Sequence, residues 1–191
     1  MRILVFSERL RAPYDEGIKN FTVQLIQALA IGHEVLALTS SGLADTEYGI
    51  KNIDANRLLL SAQLGNAIWR FRPQAIVYVP TACGTVFSFA RARVLRFYGR
   101  GACTALIALQ PRHYTRWAKL LIRHLPPDRV LAQSRHTLEV MKALGCHAAI
   151  FPPAVDTQRF CPASPGEKTT LRRKYGIPIA AIVVAHVGHL K

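Results

Sequence analysis

His113 stands in "LQPRHYT", directly after an apolar run and beside Arg112. An imidazole in that place can donate a hydrogen bond or accept a proton near neutral pH. The same placement also suits a histidine at a helix start with no partner. From Arg112 onward the cations Arg112, Arg116, Lys119 and Arg123 fall four, three and four residues apart, which puts them on one helical stripe. Tyr114, Trp117, Leu121 and Leu125 form a neighbouring apolar stripe, and Arg93, Arg96 and Arg100 repeat the basic pattern on the preceding helix. Cations beside Trp and Tyr on an amphipathic helix suit docking to an anionic membrane surface. They equally suit a helix packed by its apolar stripe with a solvated basic back. A third candidate is Gly17, which opens a helix after a polar loop. Free backbone N–H groups and the helix dipole there favour a phosphate, although a glycine at a helix start can also be purely geometric. There is no G-x-G-x-x-G, so a nicotinamide or flavin dinucleotide is not expected.

Charge narrows the partner. The chain has 191 residues and a formal net charge of +14, unevenly placed. Residues 1–60 carry six Lys/Arg against seven Asp/Glu, residues 61–150 thirteen against two, and no acidic residue lies between Asp54 and Asp128. A neutral first third joined to a basic middle implies an anionic partner for the middle, or a basic face kept for solubility. Nucleic acid is not expected, because no helix-turn-helix, zinc-finger or aromatic RNA-binding signature accompanies the charge. Cys83, Cys103, Cys146 and Cys161 are widely spaced with no C-x-x-C. They read as buried thiols rather than a metal site or a disulfide framework. No export signal and no run of membrane-spanning length is present, so a cytoplasmic protein is expected, peripheral on the inner face of a membrane if the basic helices dock.

These residues must be held by alternating elements. "RILVF" at 2–6 is an apolar strand, followed by a polar loop and a helix from Gly17 on which Ile18, Phe21, Leu25 and Leu29 share one face. "HEVLALTS" is a second strand, and "SGLADTEYGIKNID" has no clear period. Further on, helices are expected at 56–71, 84–98, 114–125 and 134–144, with strands at 74–79, 103–110, 128–134 and 147–153. Near-continuous apolar strands mean that both sheet faces are covered. The expected fold is an α/β, Rossmann-like doubly wound parallel sheet over residues 1–155. Ligands bind such sheets beyond the carboxyl ends of the strands, here at 7–16, 80–84, 110–114 and Ser134. Residues 156–178, rich in proline and polar side chains, read as a connector. The apolar run 180–187 reads as the first strand of another domain, of which 179–191 is the beginning.

Three segments then resemble a known family. "MRILVFSE" with Gly17 opening a helix that leads into "GHEV", "RVLAQSRHTLEVMKALGCHAAIFPPAVDTQRFCP", and "LRRKYGIPIAAIVVAHVGHLK" are similar, in order and spacing, to GT-B glycosyltransferases of the family-four type. The resemblance implies the N-terminal half of a GT-B fold, in which two Rossmann-like domains face each other across a cleft. The first domain mainly holds the acceptor and the second the nucleotide-sugar donor. It implies a retaining transfer with no cofactor and no metal, the nucleotide-sugar being a substrate. Gly17 matches by position the glycine near the donor phosphates, and His113 the crevice histidine. Arg112, Arg116, Lys119, Arg123 and Trp117 fall where an acceptor or an anionic surface would be met, since many members act at membranes on glycan or lipid acceptors. This sequence departs from the family in having "DEGIKN" where many members carry a Gly-Gly pair, and His189 where arginine is usual. The donor-binding motifs would follow Lys191, so the expectation is a domain inactive alone, whose donor domain is missing or is a separate polypeptide. The competing expectation is a non-catalytic membrane-docking or partner subunit that keeps the fold.

Overall fold

A computed structural model describes every residue except 42–43, 82–83, 111, 153, 156, 158–159 and 186–191, and among the described residues seven strands and six helices alternate, except that the third strand follows the second directly. The strands are β1 (Arg2–Ser7), β2 (Glu34–Thr39), β3 (Ile50–Asn52), β4 (Ala75–Tyr78), β5 (Cys103–Ala108), β6 (Arg129–Ala132) and β7 (Ala148–Ile150). The helices are α1 (Gly17–Ala30), α2 (Ala62–Phe71), α3 (Val86–Gly99), α4 (Arg116–His124), α5 (Arg135–Ala143) and α6 (Pro165–Lys174). All strand pairs are parallel, in the order β3-β2-β1-β4-β5-β6-β7. This is a Rossmann-like doubly wound sheet, and its strand order reverses between β1 and β4.

Side-chain alternation explains the two layers. Leu4, Phe6, Leu38, Ile76, Tyr78, Leu106 and Val130 point to one face, where they pack with Leu64 and Ile68 of α2, Phe89 and Leu95 of α3, Ile122 of α4 and Met141 of α5. Ile3, Val5, Ala37 and Ile50 point to the other and meet Val23 and Ile26 of α1. The buried face of α1 is therefore centred on Thr22, Val23 and Ile26, while the expected Ile18, Phe21, Leu25 and Leu29 are only half-buried along its flank. Most helices begin where a hydroxyl can cap them: Ser61, Thr85, Thr115, Ser134 and Ser164 each accept a backbone N–H from their first turn. Glu16 before α1 supplies no such side-chain cap.

Several expectations are corrected. The helix before β4 starts at Ala62 rather than 56, because Asn56 accepts from the N–H groups of Leu58 and Leu60 and holds a turn there. The unread stretch contains β3, whose only buried residue is Ile50. Of the cysteines, Cys146 is buried and its thiol is pushed up to about 11 by that burial, whereas Cys103 and Cys161 are exposed; Cys83 lies outside the described residues.

The chain divides into two units, Met1–Pro153 and Ala154–Lys191. The second contains α6, which starts inside the expected connector because Ser164 and Glu167 form a reciprocal capping box. The described part of the expected terminal strand, 180–185, forms no strand. Arg172 instead holds the carbonyls of Pro178, Ile179 and Ala181 at 2.5, 2.9 and 2.8 Å, and Ile182 and Val184 are exposed. Residues 186–187 of that run lie outside the described residues.

Candidate functional site

The reversal of strand order opens a crevice at the carboxyl ends of β1, β2 and β4, with a volume of about 540 Å³. Its wall combines the loop after β1 (Glu8, Arg9, Arg11), the first turn of α1 (Lys19), the loop after β2 (Ser40, Ser41), the segment before α2 (Asn56, Arg57), Thr81 after β4, and Arg91 of α3. Such a position is where open α/β sheets place ligands, because diverging loops leave space above the strand ends.

Glu8 joins these segments. It is the first residue after β1 and is buried. Its backbone carbonyl accepts the Ser41 N–H at 2.9 Å and the Ser41 hydroxyl at 2.7 Å, tying the β1 loop to the β2 loop. Its carboxylate accepts the Tyr78 hydroxyl, the Thr81 N–H at 2.9 Å and the Arg91 guanidinium at 2.5 Å. Arg91 in turn donates through Nε to the carbonyl of Arg57 at 2.7 Å. One carboxylate and one guanidinium thus hold four segments of the crevice wall. Burial, and next the negative charge of Glu8, push the Tyr78 phenol well above its ordinary range, so it donates at any physiological pH. Burial acts against the Arg91 charge, but Tyr78 and Glu8 outweigh it and hold the guanidinium above its ordinary value. Both oxygens of Glu8 are engaged, which makes it a positioning group rather than a free general base.

A second structured loop borders α1. The Tyr14 hydroxyl donates to Asp45, whose other oxygen accepts the N–H groups of Glu47 and Tyr48 at 3.0 and 3.4 Å. Burial and then the Asp45 hydrogen bond raise the Tyr14 phenol, while that same hydrogen bond holds the Asp45 carboxyl below its usual range.

The expected site residues divide between this crevice and its surroundings. Gly17 is the first residue of α1, between the crevice residues Glu16 and Lys19, and a Cβ there would meet no atom within 4 Å. There is thus free space beside its Cα, with neither packing nor a positive φ requiring glycine. His113 is exposed in the loop between β5 and α4, at the same sheet edge but outside the lining of the crevice. Arg112, Arg116, Lys119 and Arg123 are exposed around α4. The expected apolar stripe does not seat that helix. Ile122 is its one fully buried residue, with Tyr114 and Leu125 packed on the core beside it, whereas Trp117 is 77% exposed and Leu121 50%. On α3, Arg96 is paired with Asp128 at 2.9 Å, which gives it a structural role.

Sequence reasoning reached the 7–16 loop but not Glu8, Arg9, Arg11, Arg57 or Arg91 as site residues. The available signal was a carboxylate immediately after the first strand. Among the described residues no cluster of His, Cys, Asp or Glu could hold a metal ion, and no helix is long and apolar enough to cross a membrane. Compared with models of known protein families and with curated proteins, the chain matches none.

Proposed function

We propose that the Met1–Pro153 unit is the acceptor-side domain of a retaining, nucleotide-sugar-dependent glycosyltransferase with a GT-B architecture. The observation that carries this reading is the cationic crevice at the strand-order reversal, bordered by the start of α1 beside Gly17. Glycosyl transfer develops positive charge at the sugar and negative charge on the departing diphosphate. Cations and helix N-termini stabilise the latter electrostatically. In this reading the α1 start faces the donor diphosphate, the crevice cations hold the acceptor, and His113 at the same edge is the hydrogen-bonding imidazole. The main donor contacts belong to a second Rossmann-like domain. Titration calorimetry of the chain with UDP-glucose and GDP-mannose is therefore expected to give dissociation constants weaker than about 1 mM. Micromolar binding to this chain overturns the acceptor-side assignment.

A second reading, a peripheral membrane-docking module, is favoured by one observation: Trp117, Leu120 and Leu121 are outward-facing beside Arg116, Lys119 and Arg123. An aromatic and aliphatic surface mixed with cations suits the headgroup region of an anionic bilayer. In vesicle flotation, Arg116→Glu with Arg123→Glu is expected to abolish binding to phosphatidylglycerol vesicles. Binding unchanged by both substitutions removes α4 as the contact.

A further inference from the structure

The crevice wall has an uneven charge balance. Its cations are Arg9, Arg11, Lys19, Arg57 and Arg91, and its carboxylates are Glu8 and Glu16. Both carboxylates are satisfied from within, Glu8 by Arg91 at 2.5 Å and Glu16 by Lys19 at 3.1 Å. Three guanidiniums remain, Arg9, Arg11 and Arg57, all exposed and without a carboxylate partner among the described residues. They approach from two loops. Arg9 and Arg11 follow β1, and Arg57 precedes α2, with its backbone fixed by Arg91 at 2.7 Å and its guanidinium 6.0 Å from the centre of the Phe87 ring. A planar fork of donors matches phosphate oxygens better than a point charge, and three forks around one cavity give a dianion several charge-assisted hydrogen bonds.

We infer that the acceptor held in this crevice carries a phosphomonoester, bound by Arg9, Arg11 and Arg57, with Arg91 as the positioning residue for the Arg57 loop. The term "acceptor" rests on the glycosyltransferase reading, whereas the phosphate site rests on the crevice alone. A cavity of about 540 Å³ accommodates a phosphate and an attached sugar or glycerol unit. The phosphate can belong to a soluble sugar phosphate or to a lipid headgroup.

Titration calorimetry of the full chain at about 50 mM salt, where screening is modest, separates these cases. Glucose 6-phosphate is expected to bind and glucose not. Arg9→Gln with Arg57→Gln is expected to weaken glucose 6-phosphate at least about tenfold. Arg129→Gln with Lys142→Gln, which removes the same charge from exposed positions outside the crevice lining, is expected to leave it unchanged. Dihexanoyl phosphatidic acid, kept below its micelle concentration, is the lipid arm. Affinity equal to glucose 6-phosphate assigns the site to the phosphate itself, and about tenfold tighter binding assigns it to a headgroup with its glycerol ester. No binding of either phosphate at about 10 mM, or an equal loss in both double variants, overturns the inference. Neither result touches the glycosyltransferase reading. Conversely, micromolar UDP-glucose affinity together with an Arg9/Arg57-dependent phosphate removes the acceptor assignment and leaves the anion site standing.

Discussion

Glu8 owes its importance to what it would leave behind if removed. Its side chain is 10% exposed and that of Arg91 16%, so truncating the carboxylate strands a half-buried guanidinium along with the Tyr78 hydroxyl and the Thr81 N–H. Breaking such a pair from one side costs about 3–5 kcal/mol. Glu8→Ala is expected to lower the unfolding free energy by that amount in denaturant melts, and Arg116→Ala on exposed α4 by much less. The loop carrying Glu8 was legible as lying beyond β1. Its partner Arg91, 83 residues away, was not, because no local period links residues joined only by sheet topology. Asp45 gives a prediction in pH. Its folded-state carboxyl is held below its ordinary value by Tyr14, so the stabilisation is present above the ordinary carboxylate range and is lost as pH falls through the depressed value. The amide signals of Tyr48 and Ile50 are expected to shift on acidification from neutral pH to below pH 3.8, the ordinary Asp value, and Asp45→Asn to remove that dependence.

Elements were the most legible level, and their faces the least. Every long helix and buried strand in 1–155 was expected near its observed place, because apolar periodicity and terminal Pro or Gly residues are local signals. The buried face of α4 was missed for a definable reason. Tyr114 and Leu125 are spaced to share a helix face either with the expected Trp117 and Leu121 or with Ala118 and Ile122, and periodicity alone does not tell which pair is buried. The sheet seats Ile122, which leaves Trp117 outside. β3 was missed because three residues with one buried side chain carry no period. Packing between elements yields a sharper test. Gly99 closes α3 against the sheet, and a Cβ there would lie 2.6 Å from Ile76 Cδ1 and 3.1 Å from Ala102 Cβ. Ile76 is fully buried, so overpacking outweighs the helix-propensity gain of alanine. Gly99→Ala is expected to cost about 1–2 kcal/mol, seen as a lower denaturation midpoint at unchanged slope. An unchanged midpoint contradicts this packing.

At the scale of the molecule, the strand order determines where chemistry can occur. Placing β1 and β4 side by side brings Glu8, Thr81 and Arg91 together and opens the loops that carry Arg9, Arg11 and Arg57. The basic excess of the sequence is divided accordingly: some cations line the crevice, some form the outward face of α4, and Arg96 serves the fold through Asp128. Composition alone could not separate these roles, since each is a lysine or arginine at the surface. A phosphorylated ligand is expected to bind in this crevice rather than on α4, and amide chemical-shift mapping with glucose 6-phosphate measures where it binds. The predicted result is shifts concentrated at Arg9, Arg11, Ser41, Arg57 and Thr81, with 116–124 unaffected. Shifts confined to α4, or spread evenly over every basic surface, would contradict it.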